Sequence, residues 1–219
     1  APLRPARLVT VSETDKSSNL NENLIKNLTG LDPITCAFKG KDRFDYVPKF
    51  KIWLSSNWPI KANPDDDAVW DRAKVVYAPN SFAGREDTQL KNRMTSPETL
   101  QGVLKWLVIG SVRWYQFFDK GQKLPDPAIV QTLTQASRED NDVLGMFITE
   151  CCIISPNLAI RTIDFQKAYK DWCEENDYTP KKARSLNSSM RVKGFKDQTR
   201  MCHRVNKKQK FWLGIHLQS

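Results

Sequence analysis

Two stretches decide the fold: Leu8-Val9-Thr10-Val11-Ser12-Glu13 and Lys51-Ile52-Trp53-Leu54-Ser55-Ser56-Asn57. Each is a short apolar run rich in β-branched or aromatic side chains, the pattern of a buried strand, and each ends abruptly in polar residues. A carboxylate such as Glu13 at the end of a buried strand is where many nucleotide hydrolases hold Mg²⁺ and orient an attacking water. An amide at a neighbouring strand end, here Asn57, is placed to position that water or to touch a γ-phosphate. Downstream, Ala68-Val69-Trp70-Asp71-Arg72 leads into Lys74-Val75-Val76-Tyr77, which reads as a further strand with the Arg72 guanidinium at its entrance. The sequence holds no G-x-x-x-x-G-K-[ST] loop, so the chain by itself is expected to lack the main phosphate-binding element.

The chain has 219 residues, enough for two small domains or one larger one with an appendage. Hydrophobic content of 40% with seven Trp supports real cores and excludes global disorder. No run approaches the ~18 apolar residues of a membrane span, and no signal peptide is visible, so a cytoplasmic protein without membrane contact is expected. The first residue is Ala and it runs almost at once into a core strand, which reads as a fragment of a longer protein. The five cysteines, at 36, 151, 152, 173 and 202, show no disulfide-framework spacing and read as reduced thiols. Cys151, Cys152, Cys173 and the Cys202-His203 pair lack the two-to-four-residue ligand spacing of structural zinc sites. Adjacent helical side chains diverge by about 100°. Buried apolar cysteines, and no zinc, are expected.

Charge is concentrated at one end. The formal net charge is +9. From Tyr178 onward Lys181, Lys182, Arg184, Arg191, Lys193, Lys196, Arg200, Arg204, Lys207, Lys208 and Lys210 face a single acid, Asp197, which leaves the remainder close to neutral. So local a positive field is the electrostatic footprint of a nucleic-acid-binding end, although a lysine-rich solvated surface or a protein-docking face has the same composition.

Between these features the chain alternates in period. Leu20, Leu24, Ile25 and Leu28 follow helical spacing, with Gly30 placed to close the helix. Ile34 to Phe38 and Phe44 to Val47 flank the basic tip Lys39-Gly40-Lys41-Asp42-Arg43 and predict a hairpin. Ser96-Pro97-Glu98 is a strong helix start. Leu100, Val103, Leu104, Leu107, Ser111, Trp114 and Phe118 then share one predicted core face. Leu144, Ile148 and Cys151 mark the inner side of one or two helices over 127–152. Phe165, Ala168, Tyr169, Trp172 and Cys173 predict an amphipathic helix. Thr179-Pro180 opens a second helix, with Ala183, Leu186 and Met190 inward, Arg184, Asn187 and Arg191 on an adjoining face, and Gly194 as the stop. Phe195–Val205 and Lys210–Leu217 predict two strands around Asn206–Gln209. Helix, helix, hairpin is the order of a winged helix, in which the second helix enters a groove and the wing touches backbone.

Taken in order, these motifs resemble the C-terminal region of the phage and plasmid primase–helicase family, superfamily III helicases of the AAA+ type akin to the poxvirus primase–helicase. The resemblance is carried by Ala6-Arg7-Leu8-Val9 with Ser12-Glu13, Leu24 to Gly30 with Asp32-Pro33-Ile34, Phe50 to Asn57 and Asp65 to Arg72. It continues through Gly84-Arg85-Glu86-Asp87, Leu100 to Trp106 and Tyr169-Lys170-Asp171-Trp172-Cys173. It implies an α/β fold with an incomplete AAA+ core over 1–90, from Walker B to the arginine finger, a helical linker or lid over 91–139, and a winged-helix nucleic-acid-binding domain over 140–219. It places Glu13 at the Walker B position, with Mg²⁺ reached through ATP, Asn57 at the sensor position, and Arg72 in the arginine-finger region. The family often pairs two Arg after the Trp; here the first is Asp71.

The implied parent is an ATP-dependent 3′–5′ DNA helicase of a phage or mobile element, acting in a bacterial host cytoplasm as a homo-oligomeric ring, a hexamer when complete. A primase domain in the same polypeptide would accompany it. Single-stranded DNA would meet the pore hairpin at Lys39, Lys41 and Arg43. Duplex or fork DNA would meet Lys181, Lys182, Arg184, Asn187, Arg191, Lys207, Lys208 and Lys210. The competing expectation is a stand-alone winged-helix DNA-binding or assembly module without activity of its own. A transcriptional regulator using only the winged helix leaves the ordered run from Glu13 to Arg72 unexplained.

Overall fold

The computed structural model describes residues 2–13, 19–202 and 207–218, the side chain of Glu13 excepted. Of the residues singled out above, His203, Arg204, Val205 and Asn206 therefore lie outside the described residues. The protein is a mixed α/β chain whose elements fall into two compact units, Ala1–Ala73 with Gln135–Ser219, and Lys74–Thr134.

The first strand, β1 (Leu8–Glu13), precedes helix α1 (Glu22–Thr29), whose N-terminus is capped by Asn21 accepting from the Leu24 N–H at 3.0 Å. Gly30 ends α1 as predicted, but in a right-handed conformation (φ −84°). A Cβ there would meet the Lys26 carbonyl oxygen at 2.8 Å, so close approach, not positive φ, calls for glycine. The left-handed residue is Leu31, at φ 63°.

Strands β2 (Ile34–Ala37) and β3 (Arg43–Tyr46) form the predicted antiparallel hairpin, in register from Ile34↔Tyr46 to Ala37↔Arg43. Its tip turns at Gly40 (φ 73°). Strand β4 (Lys51–Ser56) then pairs in parallel with β1, from Leu8↔Lys51 to Glu13↔Ser56. Parallel strands are usually covered on both faces, and the apolar runs predict burial here. Instead Leu8 and Trp53 are 60% and 61% exposed while Val9, Ile52 and Leu54 are half-buried, in a sheet of two strands among the described residues. A turn leads to the short helix α2 (Asp67–Trp70), where Phe50, Val69 and Trp70 are buried and the Trp70 indole donates to the Asn63 carbonyl at 2.9 Å.

In the second unit the strand expected at Lys74–Tyr77 does not form. β-Branched side chains suit a strand only where a neighbour supplies a ladder. Here the Val75 N–H instead donates to the Thr134 hydroxyl at 2.9 Å, and Val76 and Tyr77 stay exposed. Helix α3 (Leu90–Met94) precedes α4 (Pro97–Phe118), which starts at the predicted Ser96-Pro97 signal with Ser96 accepting from the Thr99 N–H. The predicted core face of α4 is not a core: none of its side chains is buried. Its apolar residues also spread beyond the predicted stripe, to Trp106, Val108, Ile109, Val112 and Tyr115.

The rest of the first unit follows α5 (Ala128–Asp140), whose residues from Gln135 belong to it. It comprises α6 (Val143–Cys151), β5 (Cys152–Arg161), α7 (Thr162–Glu175), α8 (Ala183–Val192), β6 (Asp197–Cys202) and β7 (Lys207–Leu217). The sheet order is β5-β7-β6, antiparallel throughout. Strand β5 has no counterpart in the sequence reading: Pro156 interrupts it, and its register with β7 shifts between Ile154 and Ala159, which hides the period-2 alternation. Gly194 stops α8 in the left-handed conformation (φ 89°), and the Phe195 N–H reaches back to the Met190 carbonyl at 3.0 Å.

The main core lies here, where Phe147 makes edge contacts with Phe165 and Tyr169 at 5.4 and 5.5 Å and Trp212 closes over the helices from β7. The Tyr169 hydroxyl is buried beside the Cys173 thiol and the Lys181 backbone N–H, with no well-formed hydrogen bond to an oxygen or nitrogen among the described residues. An unsatisfied buried hydroxyl costs about what a hydrogen bond returns. Tyr169→Phe is therefore expected to leave unfolding stability unchanged or raise it by up to ~1 kcal/mol. A loss above ~2 kcal/mol in a urea titration would show that the hydroxyl has a partner of real strength.

Candidate functional site

The parallel pairing of β1 and β4 brings two of the predicted residues to one sheet end. Glu13 closes β1 in register with Ser56, and Asn57 follows immediately on β4. The turn after Asn57 is fixed by Ser56, whose hydroxyl accepts from the Trp58 N–H at 3.0 Å and donates to the Trp58 carbonyl at 2.8 Å. Asn57 itself is exposed. Arg72 is not at a strand entrance. It follows α2, and its guanidinium turns back to donate to the Ala68 carbonyl at 2.5 Å from an exposed position.

Sequence reasoning missed Asn141, which holds the segment after Asn57. Its carboxamide accepts from the Ala62 N–H at 3.1 Å and donates to the Ile60 and Ser137 carbonyls. Its only sequence signal is an Asn beside a helix end. The triple acid Asp65-Asp66-Asp67, by composition a polar turn, is also structured. Asp65 pairs with Lys181, Asp66 with Lys26 of α1, and Asp67 with Arg138 of α5.

The hydrogen bond from Lys26, opposed by partial burial, holds the Asp66 carboxyl below its ordinary range. A group depressed in the folded state stabilises above its unfolded pKa and loses that contribution as pH falls through the folded value. Asp66→Asn is therefore expected to lower stability at pH 7 by about 1 kcal/mol. The gap from wild type should close as pH drops below about 4, which denaturant midpoints measured at pH 7 and in acid would check.

At the hairpin tip Lys39, Lys41 and Arg43 are all exposed. The tip is braced from beneath: Phe38 stacks on Phe44 at 5.7 Å, and Arg4 lies over the Phe44 ring at 5.2 Å. Three cations on a rigid turn suit a phosphate backbone without base readout.

The basic tail divides by partner. Lys182, Arg184, Lys207 and Lys208 are exposed, and they have no ion pair among the described residues. Arg191 of α8 and Lys210 of β7 share Asp197 at 2.9 and 3.2 Å, and Arg191 also lies 5.9 Å from the Trp212 ring. Those two cations hold the Asp197 carboxyl well below its usual range. Asn187 is half-buried and accepts from Gln166 of α7 at 3.2 Å. Lys181 faces inward to Asp65 and Ser189, and Lys193 pairs with Asp142.

Burial pushes the Cys152 thiol up to about 12 and raises Cys151 and Cys173 as well, so these side chains remain protonated. Among the described residues no three His, Cys, Asp or Glu groups converge on a possible metal position. No described helix is long and apolar enough to cross a membrane.

No family model matches the chain. It is similar to two viral proteins named as helicases. One is "Putative helicase 022R" of Frog virus 3 (isolate Goorha), 23% identical over 191 residues, covering 78% of this chain and 19% of the relative. The other is "Putative helicase L207/L206" of Acanthamoeba polyphaga mimivirus, 26% identical over 197 residues, covering 80% of this chain and 20% of the relative. The chain thus spans about a fifth of the length of the relatives it matches, and the likeness supports a helicase-related protein.

Proposed function

We propose that this chain is the C-terminal part of an ATP-dependent DNA helicase of the AAA+ superfamily III type, from a phage or another mobile or viral element, working in DNA replication as an oligomeric ring. The observation that best supports the reading is the parallel pairing of β1 and β4, in which Glu13 stands opposite Ser56 and Asn57 follows one residue later at the same sheet end. Bound ATP with Mg²⁺ would supply the phosphoryl group to be transferred. Glu13 would then orient the attacking water and reach the metal through it, and Asn57 would hold the γ-phosphate or that water. Arg72, exposed behind α2, suits an arginine finger offered to a neighbouring subunit's nucleotide.

The helix–strand–helix–helix–strand–strand order of α6 to β7 supports a winged helix. Lys182, Arg184, Asn187 and Arg191 would present α8 to duplex or fork DNA, and Lys207, Lys208 and Lys210 would form the wing's contribution. Lys39, Lys41 and Arg43 would line a pore for single-stranded DNA. The division of roles at residues 90 and 139 is one of function; compactness divides the chain at 73 and 135.

A second reading, a DNA-binding and assembly module without activity, is favoured by the closed core of 143–217, against a parallel sheet of only two strands among the described residues. ATP hydrolysis with and without single-stranded DNA separates the two. The 219-residue chain should hydrolyse none, for want of a phosphate loop. A polypeptide extended upstream through such a loop should hydrolyse ATP and be stimulated by DNA. An extended polypeptide without ATPase activity would leave the module reading.

A further inference from the structure

The turn between β4 and α2 is held more tightly than a polar loop requires. The three consecutive carboxylates Asp65, Asp66 and Asp67, the last opening α2, each bind a cation from a different part of the chain. Asp66 takes Lys26 of α1 at 2.7 Å, and Asp67 takes Arg138 of α5, whose Nε also donates to the Pro64 carbonyl at 2.8 Å. Asp65 reaches α8. It accepts from the Ser189 hydroxyl and from Lys181 Nζ at 3.2 Å, while Lys181 also donates to Ser189 at 2.8 Å.

This last contact is nearly dry. The Asp65 side chain is 11% exposed, and Ser189 sits at 4% on the inner side of α8 between Leu186 and Met190. The same turn is closed from within: Asn63 gives its N–H to Glu22 and its carbonyl to the Trp70 indole. Arg72 follows α2 directly. A carboxylate that has given up water depends on its fixed partners, so a shift of Ser189 or Lys181 must draw Asp65 along or leave a costly unpaired charge.

We propose that Asp65 is a positioning residue that ties α8 to the arginine-bearing segment 63–73, so that DNA engaged by α8 sets the placement of Arg72. The proposal rests on the reading of α8 as a DNA-facing helix and of Arg72 as a finger, and it adds how the two are joined. Lys181 then serves the joint rather than DNA phosphate.

Hydrogen exchange on the 219-residue chain tests it in two arms. Without DNA, Lys181→Met is expected to raise exchange of backbone amides in 63–73 by about tenfold, the effect of leaving a largely buried carboxylate one partner short. Lys181→Arg should restore most of the protection. Unchanged exchange in Lys181→Met would overturn the joint. In the second arm a forked duplex of arbitrary sequence is added. Wild type should gain protection in 63–73, whereas Asp65→Asn should bind the duplex within about twofold yet show no response there. A duplex that binds wild type without altering 63–73, or a response that survives Asp65→Asn, would also overturn it. A duplex that does not bind at all removes the DNA role of α8 and with it the proposed transmission, while the DNA-free arm still decides whether Asp65 ties the two segments.

Discussion

Glu13→Gln, made in a polypeptide that joins this chain to a phosphate-binding loop, is expected to lower ATP turnover by about 10³-fold while leaving nucleotide affinity within a few-fold. The substitution keeps size and hydrogen-bonding reach and removes only the charge and basicity that would orient and deprotonate a water. On the proposed reading those properties matter in the transition state and little in the ground state, which is why turnover falls and binding does not. Register supports the choice of residue: Glu13 stands opposite Ser56, one position before Asn57, at the same end of two parallel strands. Single-turnover hydrolysis and nucleotide titration would separate the two effects. Wild-type turnover in the variant would remove Glu13 from the chemistry. Arg72→Ala should also spare binding and lose activity, and mixing it with Glu13→Gln protein should restore some hydrolysis if the finger acts across subunits.

What the sequence made legible was set by how local each signal is. The helix start at Ser96-Pro97 was readable because a capping side chain and a proline fall together, but the same signal at Thr179-Pro180 misled: α8 starts only at Ala183, after Lys182, with no side-chain cap. The stop at Gly194 was readable because the left-handed turn needs a glycine. The hairpin around Gly40 was readable for the same reason. Strand β5 was not, since its proline and shifted register are tolerated only by pairing with β7, whose paired residues lie 50 to 65 positions downstream. The failed strand at Lys74–Tyr77 is the converse: local propensity favoured it, and no partner is there to pair with it among the described residues. Helix α4 shows a third limit. Its apolar face was plain in the sequence, but an apolar face specifies only that something should cover it.

The candidate site divides in the same way. The two strand ends were legible because each apolar run stops at polar residues, and parallel pairing then sets Glu13 opposite Ser56 with Asn57 one residue further on. Ion pairing was illegible. Lys181 and Lys210 look alike in composition, yet one is turned in to Asp65 and the other remains at the surface beside Asp197. The partner of Lys181 lies more than a hundred residues away, and no spacing rule reaches that far. Asn141 was missed for a related reason, since all of its clamp on Ile60 and Ala62 is tertiary.

Because Lys207, Lys208 and Lys210 are all exposed along β7, replacing the three with Glu is expected to weaken DNA binding by at least about 100-fold at low salt. The salt slope should flatten by about one unit for each phosphate that is no longer neutralised. Lys207 and Lys208 are exposed and contribute fully. Lys210 shares Asp197 with Arg191 and contributes less, because an acid already offsets part of its charge. The total change in slope should accordingly fall between about two and three. Reversal at Lys210 also sets a carboxylate against Asp197, so Arg191 becomes the sole cation facing two acids and is drawn away from DNA. None of the three lysines belongs to the core built by Phe147, Phe165, Tyr169 and Trp212, so the unfolding midpoint should fall only modestly, through loss of the Lys210–Asp197 pair. A titration of the 219-residue chain against duplex DNA at several salt concentrations measures both quantities. Unchanged affinity and slope in the Glu variant would move the interaction off the wing and favour protein docking as the work of this domain.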